Sequence, residues 1–344
     1  MDMSEIRQDI TTEEWVIIAK ERALRPSEFA RQQSRPELPA FSASCPFCPG
    51  NESMTPGEIL IYRDKEAPGW RVRVVSNKFP ALKPGGSTVR KIESGLFMSM
   101  DGVGIHEVIV ETPEHNKILS LQEAGGIADI LRAYRERYNA IKRQPFAKLI
   151  TIYKNYGPRA GTTLEHSHSQ LIVTPVVPRH LRIQFEVATR YYDNIGRCLY
   201  CDLARREISA RDRLVMETDS FTVFHPFASH SPFETWIIPK RGQASFGNIT
   251  QQELADLAQV LRSVLLKLYK GLNNPDYNYV INSAPVDDEN KDYYSWHIRI
   301  IPRLTELVGF EIGSGINLIT ALPEETAKFM RELTVDTLTE QLDR

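Results

Sequence analysis

The stretch LEHSHSQLIV, residues 164–173, sets His166, His168 and Gln170 on alternate positions just ahead of an apolar run. Side chains of a strand alternate between faces, so in a strand all three share one face. Two imidazoles and an amide there suit a metal, a phosphate or a covalent intermediate. The four cysteines form two C-x-x-C pairs, Cys45/Cys48 and Cys198/Cys201. Such a pair in a cytoplasmic protein is a metal half-site or a redox couple. Pro49 and Gly50 follow the first pair at once and predict a knuckle-like turn, which favours metal over a redox motif opening a helix. Tetrahedral zinc needs two further ligands. His115, in TPEH, and His166 flank a predicted helix at two strand ends that could meet. Cys45, Cys48, His115 and His166 are therefore expected to hold one structural zinc ion; the alternative for His115 is a solvated loop histidine.

His168 shares its face with His166. A neutral imidazole with a pKa near the usual value of about 6.5 is a capable nucleophile at neutral pH. Attack on phosphorus suits it, because phosphoryl transfer depends mainly on positioning and charge neutralisation. Gln170 can donate its amide to a phosphoryl oxygen. The preceding YKNYGPRAGTTL supplies Asn155, Gly157, Arg159, Gly161, Thr162 and Thr163, side chains and backbone N–H groups suited to cradling an anion.

These residues sit on a plan that occurs twice. The first copy runs from CPFC through strand-like HEVIVETP to a helix with Ile127, Ile130, Leu131, Tyr134, Tyr138 and Ile141 at helical spacing, opened by a predicted capping box of Ser120 and Glu123. KLITIYKNYG, a Gly-containing turn and EHSHSQLIV complete it. The second runs from CLYC through FETWIIPK to a helix with Leu254, Leu257, Leu261, Leu265 and Leu268, opened by Thr250 and Glu253 and ended by Gly271 as a C′ residue. YNYVINSAP and YSWHIRIIPRL follow. Glu123 precedes His166 by 43 positions and Glu253 precedes Ser295 by 42, which makes an internal duplication the economical interpretation. The expected fold is α+β: antiparallel sheets with helices packed on one face. The expected halves are residues 1–175, with the zinc site and nucleophile, and 176–344, with a degenerate site. Arg241 and Ser295 stand for His115 and His166 in the second half, so one zinc is expected rather than two. Cys198 and Cys201 are then reduced thiols, or hold metal through ligands the pattern does not identify. Residues 26–43, rich in Pro and Ser, predict an extended arm, and residues 84–104 a long loop.

A length of 344 residues allows one large domain or two ordinary ones, and a net charge of -2 argues against nucleic acid or an anionic membrane as the main partner. No apolar run approaches the roughly 18 residues of a membrane span, and the first residues lack the features of a signal peptide. A cytoplasmic location is expected.

HSHSQ after its glycine loop, CPFC, HEVIVETPEH, NKFPAL, PFETWIIPK and RLTELVGFEIGSG occur in the order seen in galactose-1-phosphate uridylyltransferase, a duplicated member of the histidine-triad superfamily, and residues 7–332 resemble it. The resemblance implies a ping-pong nucleotidylyltransferase: His168 attacks the α-phosphorus of a nucleotide sugar such as UDP-glucose, and a hexose-1-phosphate takes up the nucleotidyl group. It implies that Gln170 holds the phosphoryl group, that Asn155, Gly161 and Thr163 line the phosphate site, and that Asn77 contacts the nucleoside. It further implies substrate contacts by Arg22 and Arg25, and a homodimer in which Phe310 and Glu311 serve the partner subunit's site. The same resemblance places zinc on Cys45, Cys48, His115 and His166. Ser167 stands where the uridylyltransferase pattern commonly has proline. The serine form is also similar to ADP-glucose phosphorylase, which moves AMP and passes it to phosphate. Uridylyl transfer in galactose metabolism is the first expectation, with adenylyl transfer by an ADP-glucose or diadenosine polyphosphate phosphorylase as the alternative.

Overall fold

The computed structural model describes residues 3–30, 35, 37–63 and 69–334. Its strands are β1 (Glu5–Gln8), β2 (Trp15–Ile18), β3 (Glu58–Arg63), β4 (Trp70–Ser76), β5 (Lys91–Glu93), β6 (Phe97–Ser99), β7 (Ile105–Val110), β8 (Leu149–Tyr156), β9 (His168–Thr174), β10 (Leu214–Glu217), β11 (Phe221–Phe224), β12 (Thr235–Pro239), β13 (Tyr277–Asn282), β14 (His297–Pro302) and β15 (Asn317–Ile319). Its α-helices are α1 (Ala124–Ile141), α2 (Arg179–Ile195), α3 (Leu199–Ala210), α4 (Gln251–Gly271), α5 (Gly309–Ser314) and α6 (Pro323–Glu332).

Ten strands make one sheet in the order β10-β11-β12-β14-β13-β8-β9-β7-β4-β3, antiparallel at every pairing. The order is a palindrome of the duplication: β8, β9, β7, β4 and β3 run outward from the centre as β13, β14, β12, β11 and β10 do on the other side. The two halves meet edge to edge through β13 on β8, with Asn278 opposite Asn155. Neither half then leaves its central strand as an open edge.

Strand alternation divides the sheet into two faces. On one, Ile150, Ile152, Leu171, Val173, Ile281 and Ile298 pack against α1 and α4, which lie side by side. On the other face the halves differ. In the second half, Phe224, Trp236 and Ile238 meet Phe185, Leu199 and Tyr200 of α2 and α3. In the first half, Val75, Val108 and Val110 meet Cys45, Phe47 and Cys48 of the knuckle. A small separate sheet, β1-β2-β15, brings the N-terminal segment beside the residues that follow α5.

Several local expectations are corrected. The box at Thr250 and Glu253 forms, but Ser120 lies in a 3-10 turn and α1 starts behind Glu123 without a side-chain cap. Gly271 lies inside α4, with Leu272 as the cap; a Cβ there would come 2.6 Å from Leu333 and 2.8 Å from Phe329, so close approach explains the glycine. The 84–104 loop contains the β5–β6 hairpin. The 26–43 arm begins with a 3-10 turn at Pro26–Phe29, and its positions 31–34 and 36 lie outside the described residues.

Candidate active site

The knuckle residues, the end of β7 and the approach to β9 converge on a buried group of four donors. Cys45 Sγ and Cys48 Sγ each lie 3.6 Å from His166 Nδ1, and Cys48 Sγ lies 3.5 Å from His115 Nδ1. All four donor atoms fall within 4.8 Å of one another. A tetrahedral ion with bonds of about 2.3 Å to sulfur and about 2.0 Å to nitrogen separates S and N by about 3.5 Å, so the group can bind a metal ion. His166 Nε2 donates to the Thr112 carbonyl at 2.7 Å, which leaves Nδ1 as the ligand atom and orients the ring. Burial pushes the His166 pKa down to about 4, keeping the imidazole neutral.

Two residues on, His168 opens β9. Its Nδ1 donates to the His166 carbonyl at 2.8 Å, so Nε2 carries the lone pair. Burial lowers its pKa, and Phe47 packs against the ring at 5.3 Å. The knuckle that supplies the cysteines thus also braces this imidazole. From the helix side of the strand, Lys154 Nζ donates to the His168 carbonyl at 3.0 Å, to Glu111 Oε2 at 2.5 Å and to Ser167 Oγ at 3.1 Å. Ser167 donates to the same carboxylate at 2.6 Å, and Tyr134 of α1 donates to Glu111 at 3.2 Å. Lys154 and Glu111 are each about 1% exposed, so this ion pair sits in the core. Burial lowers the Lys154 pKa while Glu111 opposes the shift.

Gln170 lies on the His168 face. The backbone N–H of Ala81 donates to His106 Nδ1 at 3.1 Å, so the ring proton is on Nε2, which donates to Gln170 Oε1 at 2.7 Å. Tyr153 donates to the same oxygen at 3.0 Å, and the Asn77 amide lies 3.1 Å from His106 Nε2. With its oxygen doubly occupied, Gln170 turns its NH2 group away from these donors.

A cavity of about 1050 Å³ opens on the other side of His168, lined by Asn155, Gly157, Thr163, His168, Arg35 and Asp276, among others. Its loop is built by both halves. Gly157 has φ +87°, and a Cβ there would fall 2.2 Å from Asp276 Oδ1, so the turn requires glycine. Asp276 accepts from the Arg159 backbone N–H at 2.6 Å and pairs with Arg35. Gly161 follows at φ +86°.

The structure therefore brings His168, Asn155, Thr163 and the metal group to one cavity, with Gly161 in its loop. Gln170 and Asn77 gather around His106 alongside. Arg22, Arg25, Phe310 and Glu311 line neither: Arg22 and Arg25 follow β2, Phe310 and Glu311 lie on α5 just before β15, and β2 pairs with β15. In the second half His297 repeats the tether, Nδ1 donating to the Ser295 carbonyl at 3.2 Å. Its ring is stacked between Tyr200 at 4.9 Å and Trp236 at 4.8 Å, which fill the space a substrate would need. Counting onward from the paired positions Val108–Gln170 and Trp236–Arg299 puts Gln243, rather than Arg241, level with His115. Cys198 caps α3 and accepts the Cys201 N–H at 3.3 Å.

Sequence reasoning missed Lys154, Glu111, His106, Tyr153, Asp276 and Asn278. The one available signal was a charge placed in an otherwise apolar strand, as at Lys154 in KLITIYKNYG.

The first 178 residues match the sequence profile of the galactose-1-phosphate uridyl transferase N-terminal domain, and residues 184–341 match that of its C-terminal domain. An ADP-glucose phosphorylase of Arabidopsis thaliana is 36% identical over 96% of this chain and 93% of its own. A galactose-1-phosphate uridylyltransferase of Thermotoga maritima is 26% identical over 97% and 100%. Among solved structures, the Arabidopsis thaliana ADP-glucose phosphorylase with bound ADP-glucose superposes with a TM-score of 0.80 at 32% identity, covering 97% of this chain and all of that one. A uridylyltransferase structure gives 0.73 at 27% identity over 99% and 100%.

Proposed function

This chain belongs to the galactose-1-phosphate uridyl transferase family of nucleotidyltransferases, and within it we propose an enzyme that works through a nucleotidyl-His168 intermediate. The observation that carries the chemistry is the tether of His168 Nδ1 to the His166 carbonyl, which aims an unprotonated Nε2 out of the strand. Nε2 attacks the α-phosphorus of a nucleotide sugar. A P–N bond forms, the bond from that phosphorus to the bridging oxygen breaks, and hexose-1-phosphate leaves. An acceptor phosphate oxygen then forms a new P–O bond while the P–N electron pair returns to Nε2. Gln170 and Asn155 offer NH2 donors, and Gly161 and Thr163 the loop, for the phosphoryl oxygens.

For the nucleotide, adenylyl transfer from ADP-glucose to phosphate ranks first, on the 36% identity to an ADP-glucose phosphorylase against 26% to a uridylyltransferase. Uridylyl transfer between hexose-1-phosphates is the second reading, favoured by both family profiles. The ion at Cys45, Cys48, His115 and His166 is assigned as zinc, because a tetrahedral S2N2 set suits it; with four protein ligands its role is structural. The two functional halves are taken as residues 1–175 and 176–344. Phe310, 49% exposed, and Glu311 are read as serving a partner subunit in a homodimer, since neither lines its own chain's cavity, and Arg22 and Arg25 are read as substrate contacts.

The test is intact-mass measurement after separate incubations with ADP-glucose and UDP-glucose. An adduct of AMP mass, absent from His168→Gly and discharged by inorganic phosphate, is expected. An adduct from UDP-glucose alone selects the second reading, and no adduct from either with folded protein overturns nucleotidyl transfer.

A further inference from the structure

The second half has lost its own site, yet its central strand touches the first half's phosphate loop. We infer that Asn278 and Arg303 are positioning residues that set which end of the Asn155 amide faces the cavity; this rests on the nucleotidyl-transfer reading above. Arg303 Nε can only donate, and it donates to Asn278 Oδ1 at 2.5 Å. The Ala160 carbonyl can only accept, and it takes a proton from Asn278 Nδ2 at 2.9 Å. Asn278 is thus oriented from both sides, and it is 8% exposed. Its second amide proton goes to Asn155, directly opposite in the β13–β8 pairing, at 2.7 Å. The atom of Asn155 that meets it must be Oδ1. Asn155 Nδ2 is left on the cavity side, 3.9 Å from where a Gly161 Cβ would stand. Arg303 is in turn held by its backbone N–H, which donates to the Asp276 carbonyl at 2.7 Å. The relay presents an N–H donor, rather than a carbonyl acceptor, to an anionic phosphoryl group.

The decisive variant is Asn278→Asp. It keeps the size and still accepts from Arg303, but offers Asn155 an oxygen, so Asn155 rotates and shows its own oxygen to the cavity. The rate of adduct formation on His168 is expected to fall about 10- to 100-fold in a single turnover, with the half-saturating nucleotide-sugar concentration changing less than about threefold. Arg303→Met is expected to lose part of the rate and Arg303→Lys, which can still donate, to restore it. A rate for Asn278→Asp within about threefold of the unaltered protein overturns the relay. A second readout separates this from the fate of the transferase reading: the Asn155 side-chain NH2 signals in NMR, identified by their loss in Asn155→Asp. Inorganic phosphate is expected to move them in the unaltered protein and in Arg303→Lys, less in Arg303→Met, and not in Asn278→Asp. Equal movement with and without the relay, or none in the unaltered protein, overturns it whether or not an adduct forms.

Discussion

Lys154 Nζ lies 3.0 Å from the carbonyl oxygen of His168, on the face of the sheet opposite the imidazole that this carbonyl's own residue presents. The strand that carries His168, the proposed nucleophile, is thereby anchored by a buried charge, and that charge is balanced by Glu111. Desolvating both ions is costly, and removing one leaves the other unpaired in the core. Lys154→Met is expected to destabilise the protein by about 3–5 kcal/mol, and Lys154→Met with Glu111→Gln to recover part of that loss. Urea unfolding of the single and double variants checks it; additive losses would mean the pair is not coupled.

The four-donor group predicts about one zinc per chain by elemental analysis. Cys48→Ser is expected to lose the ion and lower the melting temperature, because the same knuckle packs Phe47 on His168. A value near two would place a second ion in the other half, against the loss of both histidines at Gln243 and Ser295.

His225 and His297 are buried and neutral, and burial pushes each pKa down to about 3. The unfolded chain binds their protons near pH 6.5, so their contribution is full above that value and is lost as pH falls toward 3. At pH 5 each costs about 2 kcal/mol of stability. His297→Phe, which keeps the stack on Tyr200 and Trp236, is expected to flatten the fall in denaturation midpoint between pH 7 and pH 5; an unchanged slope would count against it.

His106 holds Gln170 by its oxygen. His106→Phe is expected to slow adduct formation about 10-fold through misorientation of the amide, with zinc content unchanged. His106→Gln, which can still donate to Oε1, should lose less. Equal losses in the two variants would show that the hydrogen bond is not what matters.

Gly157→Ala forces a side chain to φ +87° and a Cβ to 2.2 Å from Asp276. Backbone strain alone costs about 1–3 kcal/mol. The loop is expected to shift from Asp276 and the adduct rate to drop, measured with the unfolding midpoint. A neutral effect on both would show the turn is not required.

Local pattern determined a good part of this molecule. Alternation in HSHSQ set His168 and Gln170 on one face of β9, with His166 in the bend just ahead of it, the helical spacing of Leu254 to Leu268 found α4, and the repeat of helix, hairpin and polar strand exposed the duplication. Those signals are periods and spacings, carried by neighbours in the chain. The rest depended on which strands pair. Register between β8 and β13 joined the halves into one sheet and placed Asn278 against Asn155, 123 positions away. The pairing of β7 with β9 put His106 beside Gln170 and Glu111 beneath Ser167. A buried lysine or asparagine looks the same in the sequence as a solvated one. Only the tertiary contacts, which decide what replaces water around each polar group, separate the two.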